Sequence, residues 1–165
     1  MAARSSAFAP VVGPGARVLI LGSLPGTESL RRGQYYAHPR NAFWRLIGAV
    51  IGADVAGMRY DDRLAALTAA GVGLWDVIAS AERRGSRDAA IRDPAHADLA
   101  ALVAGLPDLR VVAFNGGTSA RIGRRQLGAA GPALIDLPSS SPAYAAMPFE
   151  AKRERWAVLA DYLRA

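Results

Sequence analysis

Four short apolar runs set what this chain can fold into. They are "RVLILG" at residues 17–22, "VGLWDV" at 72–77, "RVVAF" at 110–114 and "ALIDL" at 133–137, each bounded by Gly, Pro, Asn or Ser. Near-continuous apolar runs of this length are what strands buried on both faces require, and such strands belong to parallel sheets. Helical segments fall between them. Residues 41–51 start at an Asn suited to the N-cap. Residues 61–70 start with two acids that suit the helix dipole. Residues 94–104 carry Pro94 at the first helical position, and residues 117–127 follow the third strand. The last helix, 148–163, puts Trp156, Leu159, Ala160 and Leu163 on one face. Strands alternating with helices predict an α/β fold: a single-domain three-layer αβα sandwich around a central, mainly parallel four-stranded sheet. The chain has 165 residues, enough for one domain. Residues 1–10 are expected to be a flexible tail and 11–165 the folded domain.

In such sheets a ligand sits beyond the carboxyl ends of the strands. The polar and glycine-rich stretches fall there: "GSLPG" after the first strand, "DVIASAERRGSRD" running out of the second, "NGG" after the third and "PSSSPAY" after the fourth. The first is the longest. Residues 22–48, "GSLPGTESLRRGQYYAHPRNAFWRLIG", run through Gly, Pro, two Tyr and a His before the next helix, where ~2–6 residues would do. The segment is too aromatic for simple disorder, so a functional wall is expected.

Charge and the missing residue types narrow the chemistry. There are 20 basic and 14 acidic residues, net +6, and every basic residue but Lys152 is Arg. Arginine forks suit phosphates, and the balance fits a polyanionic partner; an Arg-, Ala- and Gly-rich coding sequence would give the same numbers. No cysteine is present and only two histidines, His38 and His96, so thiolate chemistry and cysteine zinc sites are excluded and no metal or other cofactor is expected. No phosphate loop or acidic metal cluster is found. No stretch reaches the ~18 apolar residues of a membrane span, and the first ten residues lack an apolar signal core.

The ordered set "GSLPG", "AHPRNAFW", "FNGG" and "LPSSSPAY" resembles the uracil-DNA glycosylase superfamily. Its order and spacing are similar to the mismatch-specific uracil/thymine branch, and the fuller "QYYAHPRNAFW" block is closer to the DNA-deoxyinosine (hypoxanthine-DNA) glycosylases. The resemblance spans roughly residues 17–144. It implies a monofunctional glycosylase that flips a nucleotide out of DNA and hydrolyses its N-glycosidic bond. It further implies a deaminated base, foremost hypoxanthine, as target, a monomer, no cofactor, and a cytoplasmic place on the nucleoid.

Most candidate residues then have more than one reading. By resemblance Phe43 stacks on the flipped base; otherwise it is a core residue beside Trp44. Tyr36 and Tyr35 close the pocket wall or pack the loop onto the sheet. Gly22 and Ser23 border the base. Leu24 stands where the uracil/thymine branch keeps a water-positioning Asn, which puts uracil removal by that route in doubt. Asn41 is the replacement, its amide oxygen accepting a hydrogen bond from the attacking water, or it is a helix cap. Asp76 accepts the N1–H of hypoxanthine or closes a strand end. His38 donates to the leaving base, binds phosphate or orders the 37–39 turn. Ser139, Ser140 and Ser141 grip phosphates or simply form a turn, with Tyr144 the candidate for the gap left in the duplex. Asn115, Gly116 and Gly117 let backbone approach DNA, with Arg121, Arg124 and Arg125 nearby, and "RRGSRD" (83–88) adds a basic loop. Lys152 lies in the last helix, away from the strand ends, which argues against lyase chemistry. Three classes follow: a deoxyinosine glycosylase, a glycosylase acting mainly on uracil or its mismatches, and a non-catalytic nucleic-acid-binding relative.

Overall fold

The structure, a computed structural model, describes residues 4–82, 91–129 and 131–164. Four strands form the central sheet: β2 (Val18–Gly22), β3 (Val72–Asp76), β6 (Val111–Asn115) and β7 (Ala133–Leu137). Their order is β3-β2-β6-β7, and every pairing is parallel. These are the four runs expected, within a residue at each end. The pleat divides each strand between two cores. Val18 and Ile20 of β2 face one side, with α2 (Phe43–Ile51), α3 (Tyr60–Ala70), α6 (Phe149–Trp156) and α7 (Leu159–Leu163). Leu19 and Leu21 face the other, with α4 (Leu99–Ala104) and α5 (Gly117–Leu127). Helix α5 comes very close to the sheet: a Cβ at Gly123 would fall 2.2 Å from the Phe114 ring. The Ser119 hydroxyl donates to the Leu21 carbonyl at 2.6 Å and ties the helix to β2, one of the two inner strands.

Chain order reverses between β2 and β6. The segment after β2 leads to helices on one face, and the helix after β6 lies on the other. A crevice therefore opens between the carboxyl ends of these two strands, the usual ligand position in such sheets.

Four segments differ from expectation. Residues 94–104 are not one helix: Arg92–His96 forms strand β5 and only Leu99–Ala104 is helical. A proline suits the first turn of a helix or an edge strand equally well. Pairing with β4 (Ile78–Glu82) at the edge of a small antiparallel sheet decides it. The first ten residues are not a loose tail from residue 4 onward. Strand β1 (Arg4–Ser6) pairs with β4, Phe8 meets Tyr35 edge-on with ring centroids 5.2 Å apart, and the Phe8 carbonyl accepts the Trp75 indole N–H at 3.0 Å. The last helix tightens at Ala157–Val158, where i→i+3 bonds replace the α pattern; Trp156 and Leu159 stay fully buried. A short helix not anticipated, α1 (Thr27–Arg32), lies inside the long first loop. The basic stretch 83–88 lies outside the described residues.

Candidate active site

A cavity of about 360 Å³ opens where β2, β3 and β6 end. Gly22, Asp76 and Asn115 form its floor; the long loop (Ser23, Leu24, Tyr35, Tyr36, His38, Asn41) and the serine loop (Ser139 to Tyr144) form its walls. The four separate motifs thus meet in one place. Its size is at the small end of the ~300–1,000 Å³ range of ligand clefts.

Gly22 pairs with Asp76 in the sheet. A Cβ on Gly22 would lie 2.7 Å from the Asp76 Oδ1 and 2.9 Å from the Tyr36 Oη, so only glycine lets both side chains reach the floor. Asp76 is buried, 4% exposed. Burial, helped by the nearby Asp76 charge, raises the Tyr35 phenol pKa, and its hydroxyl is spent on the Ala9 carbonyl at 2.9 Å. Glu28 also borders the cavity. Hydrogen bonds from Arg31 and Arg32 pull its carboxyl down to about 2, so it is an ion-pair partner rather than a base.

The aromatic wall differs from expectation at Phe43. That ring is fully buried and does not reach the cavity. Tyr36 covers it, stacked at 3.9 Å with planes 9° apart. Of these two rings, the one that borders the cavity is therefore Tyr36, while Phe43 is its backing, packed edge-on to Trp44 and Trp156. Tyr36 is held there under strain: its φ is 53°, a region that non-glycine residues seldom occupy. The Trp44 indole N–H donates to its carbonyl at 3.2 Å and anchors the backbone.

Asn41 borders the cavity just before α2. Its Oδ1 accepts the Phe43 N–H at 2.9 Å, which is the capping role in substance although the helix begins two residues later. One lone pair of that oxygen and the amide N–H groups are left for a ligand. The Ala42 N–H donates to the Ser140 carbonyl at 3.0 Å, so the Asn41 segment and the serine loop are bolted together.

The serine loop is largely self-satisfied. Ser139 Oγ accepts the Ser141 N–H at 3.1 Å and Ser141 Oγ accepts the Ala143 N–H at 3.1 Å. Both hydroxyls keep a proton to donate. Ser140 is 1% exposed. Its N–H donates to Asn115 Oδ1 and its hydroxyl accepts from Asn115 Nδ2, both at 2.9 Å. Asn115 Nδ2 also reaches the Tyr36 Oη at 3.4 Å. Asn115 and Ser140 are therefore a strut joining β6, the serine loop and the aromatic wall. Gly116 and Gly117 do not border the cavity. They line an adjoining groove with Met147 and Arg155, and Ser139 and Tyr144 stand between the two. His38 lies at the cavity rim, where its Nδ1 accepts the Arg40 N–H at 3.1 Å, which orders the turn and leaves the proton on Nε2.

The profile of the "Uracil DNA glycosylase superfamily" matches residues 9–161. The chain belongs to the uracil DNA glycosylase superfamily. Membership makes it a DNA glycosylase. It is 43% identical over 113 residues to a protein from Methanosarcina barkeri named hypoxanthine DNA glycosylase, covering 68% of this chain and 72% of that one. A Methanosarcina acetivorans protein of the same name is 43% identical over 109 residues, 66% of this chain and 69% of that one. A solution structure from Methanosarcina acetivorans, described as a candidate uracil DNA glycosylase, superposes with TM-score 0.85 at 35% identity over 98% of this chain and 99% of that chain.

Within this superfamily frame two residues gain weight. Leu24, 6% exposed, puts an apolar side chain into the cavity wall. Lys152 is not remote from the strand ends as expected from its helix. Its ammonium lies 3.4 Å from the Ser141 carbonyl and 5.3 Å from the Tyr144 ring centre. The one signal in the sequence was its being the sole lysine in a chain that otherwise uses arginine. No described helix is long and apolar enough to cross a membrane.

Proposed function

We propose that this DNA glycosylase removes hypoxanthine from DNA by base flipping and water attack. The observation that carries the reading is the cavity wall: apolar Leu24 and polar Asn41 border one base-sized space. Leucine cannot hold a water, and of the polar groups bordering the space we assign that task to Asn41, whose amide oxygen keeps a lone pair. The relatives named hypoxanthine DNA glycosylase support the same base.

The extruded base lies on the Tyr36 face. Asp76 accepts its N1–H, and a backbone N–H of the cavity wall donates to O6. A pocket that closes on this edge excludes adenine, which has an acceptor at N1. As the C1′–N9 bond breaks, its electron pair passes to the base and C1′ gains oxocarbenium character. Water held at Asn41 Oδ1 adds to C1′. Its lost proton leaves to solvent; the base departs as an anion that the His38 Nε2–H at the rim stabilises by a hydrogen bond, and solvent then protonates it. Ser139 and Ser141 hydroxyls donate to phosphates flanking the lesion, and Tyr144 enters the gap in the duplex. Asn115 and Ser140 hold these parts in register, and Gly116 contributes to the adjoining groove. Lys152 sits beneath the serine loop rather than among the cavity-lining residues, which fits hydrolysis without lyase chemistry. The protein acts as a metal-independent monomer in the cytoplasm.

Uracil presents the same N–H and carbonyl pattern to Asp76, so Leu24 is what separates the two substrates. The test is an excision panel: oligonucleotides carrying hypoxanthine, uracil, thymine mismatches or xanthine, incubated in excess chelator and then treated with alkali. Fastest scission at hypoxanthine, seen only after alkali, is expected. Faster release of uracil, or strand breaks before alkali, refutes the reading.

A further inference from the structure

Among the described residues Lys152 is the only buried basic side chain, 5% exposed. It has no carboxylate partner there, and desolvation alone pushes its pKa down. A buried ammonium without a counter-ion is costly and persists only where polar neighbours offset the lost water. Its hydrogen-bond and cation–π partners come from a single loop. One is the Ser141 carbonyl, at 3.4 Å. That carbonyl also accepts the Tyr144 N–H at 3.1 Å and so closes the turn 141–144. The other is the face of the Tyr144 ring, at 5.3 Å, within the range of a cation–π contact.

Among the described residues Tyr144 is one of two large apolar side chains that stand exposed, at 41%. It borders both the cavity and the adjoining groove lined by Met147 and Arg155. An exposed ring on a loop tip would ordinarily sample many rotamers. Here one cation holds both the turn that carries the ring and the ring itself. A lysine suits this better than an arginine, because its compact ammonium can turn donors toward a carbonyl and a ring at once.

We propose that Lys152 is a positioning residue for strand opening: its ammonium locks the 141–144 turn and presents the Tyr144 ring at the cavity mouth, ready to fill the space of the extruded nucleotide. This rests on the reading of the protein as a base-flipping glycosylase. A preset ring spares the ordering entropy that a free one loses on binding. The benefit exists only for duplex DNA, since a single strand has no stack to refill.

The experiment compares full-length wild type, Lys152→Met, Lys152→Arg, Tyr144→Ala and the Lys152→Met/Tyr144→Ala double variant. Single-turnover hypoxanthine excision is measured on duplex and single-stranded oligonucleotides. A 2-aminopurine beside the lesion reports unstacking on binding. For Lys152→Met the ratio of duplex to single-strand excision should fall by about tenfold or more, and the 2-aminopurine rise should be lost. Lys152→Arg, which keeps a cation, should recover part of both. The double variant should lose no more duplex excision than Tyr144→Ala alone, since residues acting as a unit are not additive. Lys152→Met lowering both substrates equally, a normal 2-aminopurine rise, or additive losses would each overturn the proposal. If Lys152→Met fails to fold, Tyr144→Leu removes the cation–π contact and leaves the lysine in place; an unchanged ratio there overturns it equally. A wild type that excises no base defeats the functional reading alone. The 2-aminopurine signal needs binding and not cleavage, so it still decides the role of Lys152.

Discussion

Asn41 combines two roles, and the structure allows them to be separated. Its Oδ1 accepts the Phe43 N–H at the start of α2, and the same side chain borders the cavity. Asn41→Ala removes both. Losing the cap-like bond costs about 1 kcal/mol of stability, which for a chain of this length lowers Tm by roughly 2–4 °C. Losing the water acceptor should slow excision by more than about tenfold, or roughly 1.4 kcal/mol of barrier. Asn41→Ser discriminates between the two effects. A serine hydroxyl can take the Phe43 N–H as a good cap, yet it is too short to hold water at the same place. Its Tm should return to near wild type while excision stays low. The assay is single-turnover release of hypoxanthine, with thermal melts and DNA affinity measured on the same preparations. Wild-type rates in both variants would make Asn41 a cap alone and refute the catalytic reasoning.

Substitutions at five further positions test the rest of the site. Leu24→Asn should raise uracil excision and leave hypoxanthine excision little changed; no gain on uracil would remove Leu24 as the discriminating residue. Asp76→Leu should impair both bases, because a buried base edge left unpaired costs about 1–3 kcal/mol, whereas Asp76→Asn should retain binding with altered preference; wild-type rate and selectivity in Asp76→Leu would make the residue structural. Gly22→Ala places a Cβ 2.7 Å from Asp76 Oδ1 and 2.9 Å from Tyr36 Oη, so excision should fall well before thermal stability does, and an unchanged rate would show that neither group is used. Phe43→Ala should cost about 3–5 kcal/mol in denaturant unfolding as a buried-ring truncation, while Tyr36→Ala should act mainly on KM; the reverse pattern would return the stacking face to Phe43.

The sequence by itself determined the sheet. Each of its strands is a local apolar run, and such a run reads the same whatever its neighbours are; that β7 stays half-exposed at the sheet edge was not legible. Helix α5 was legible from its place after the third strand. The meeting of four motifs followed from topology, since parallel strands bring their carboxyl ends to one edge. Local pattern was silent where two conformations suit the same residues. Pro94 fits a helix start or an edge strand, and only β4 lying alongside chose the strand. Short polar stretches such as Arg4–Ser6 carry no burial signal, so β1 also needed its partner to exist. The division of labour inside the site was likewise tertiary. Phe43 and Tyr36 are both aromatic and seven residues apart; which one meets the ligand depends on which lies on top of the other. Asn115 is bound to Ser140, 25 residues on, and to Tyr36, 79 residues back, and Lys152 to a carbonyl 11 residues away on another element. A residue type states what it can donate or accept; which groups it meets is fixed only when the chain closes, because those contacts join segments that local periodicity does not connect.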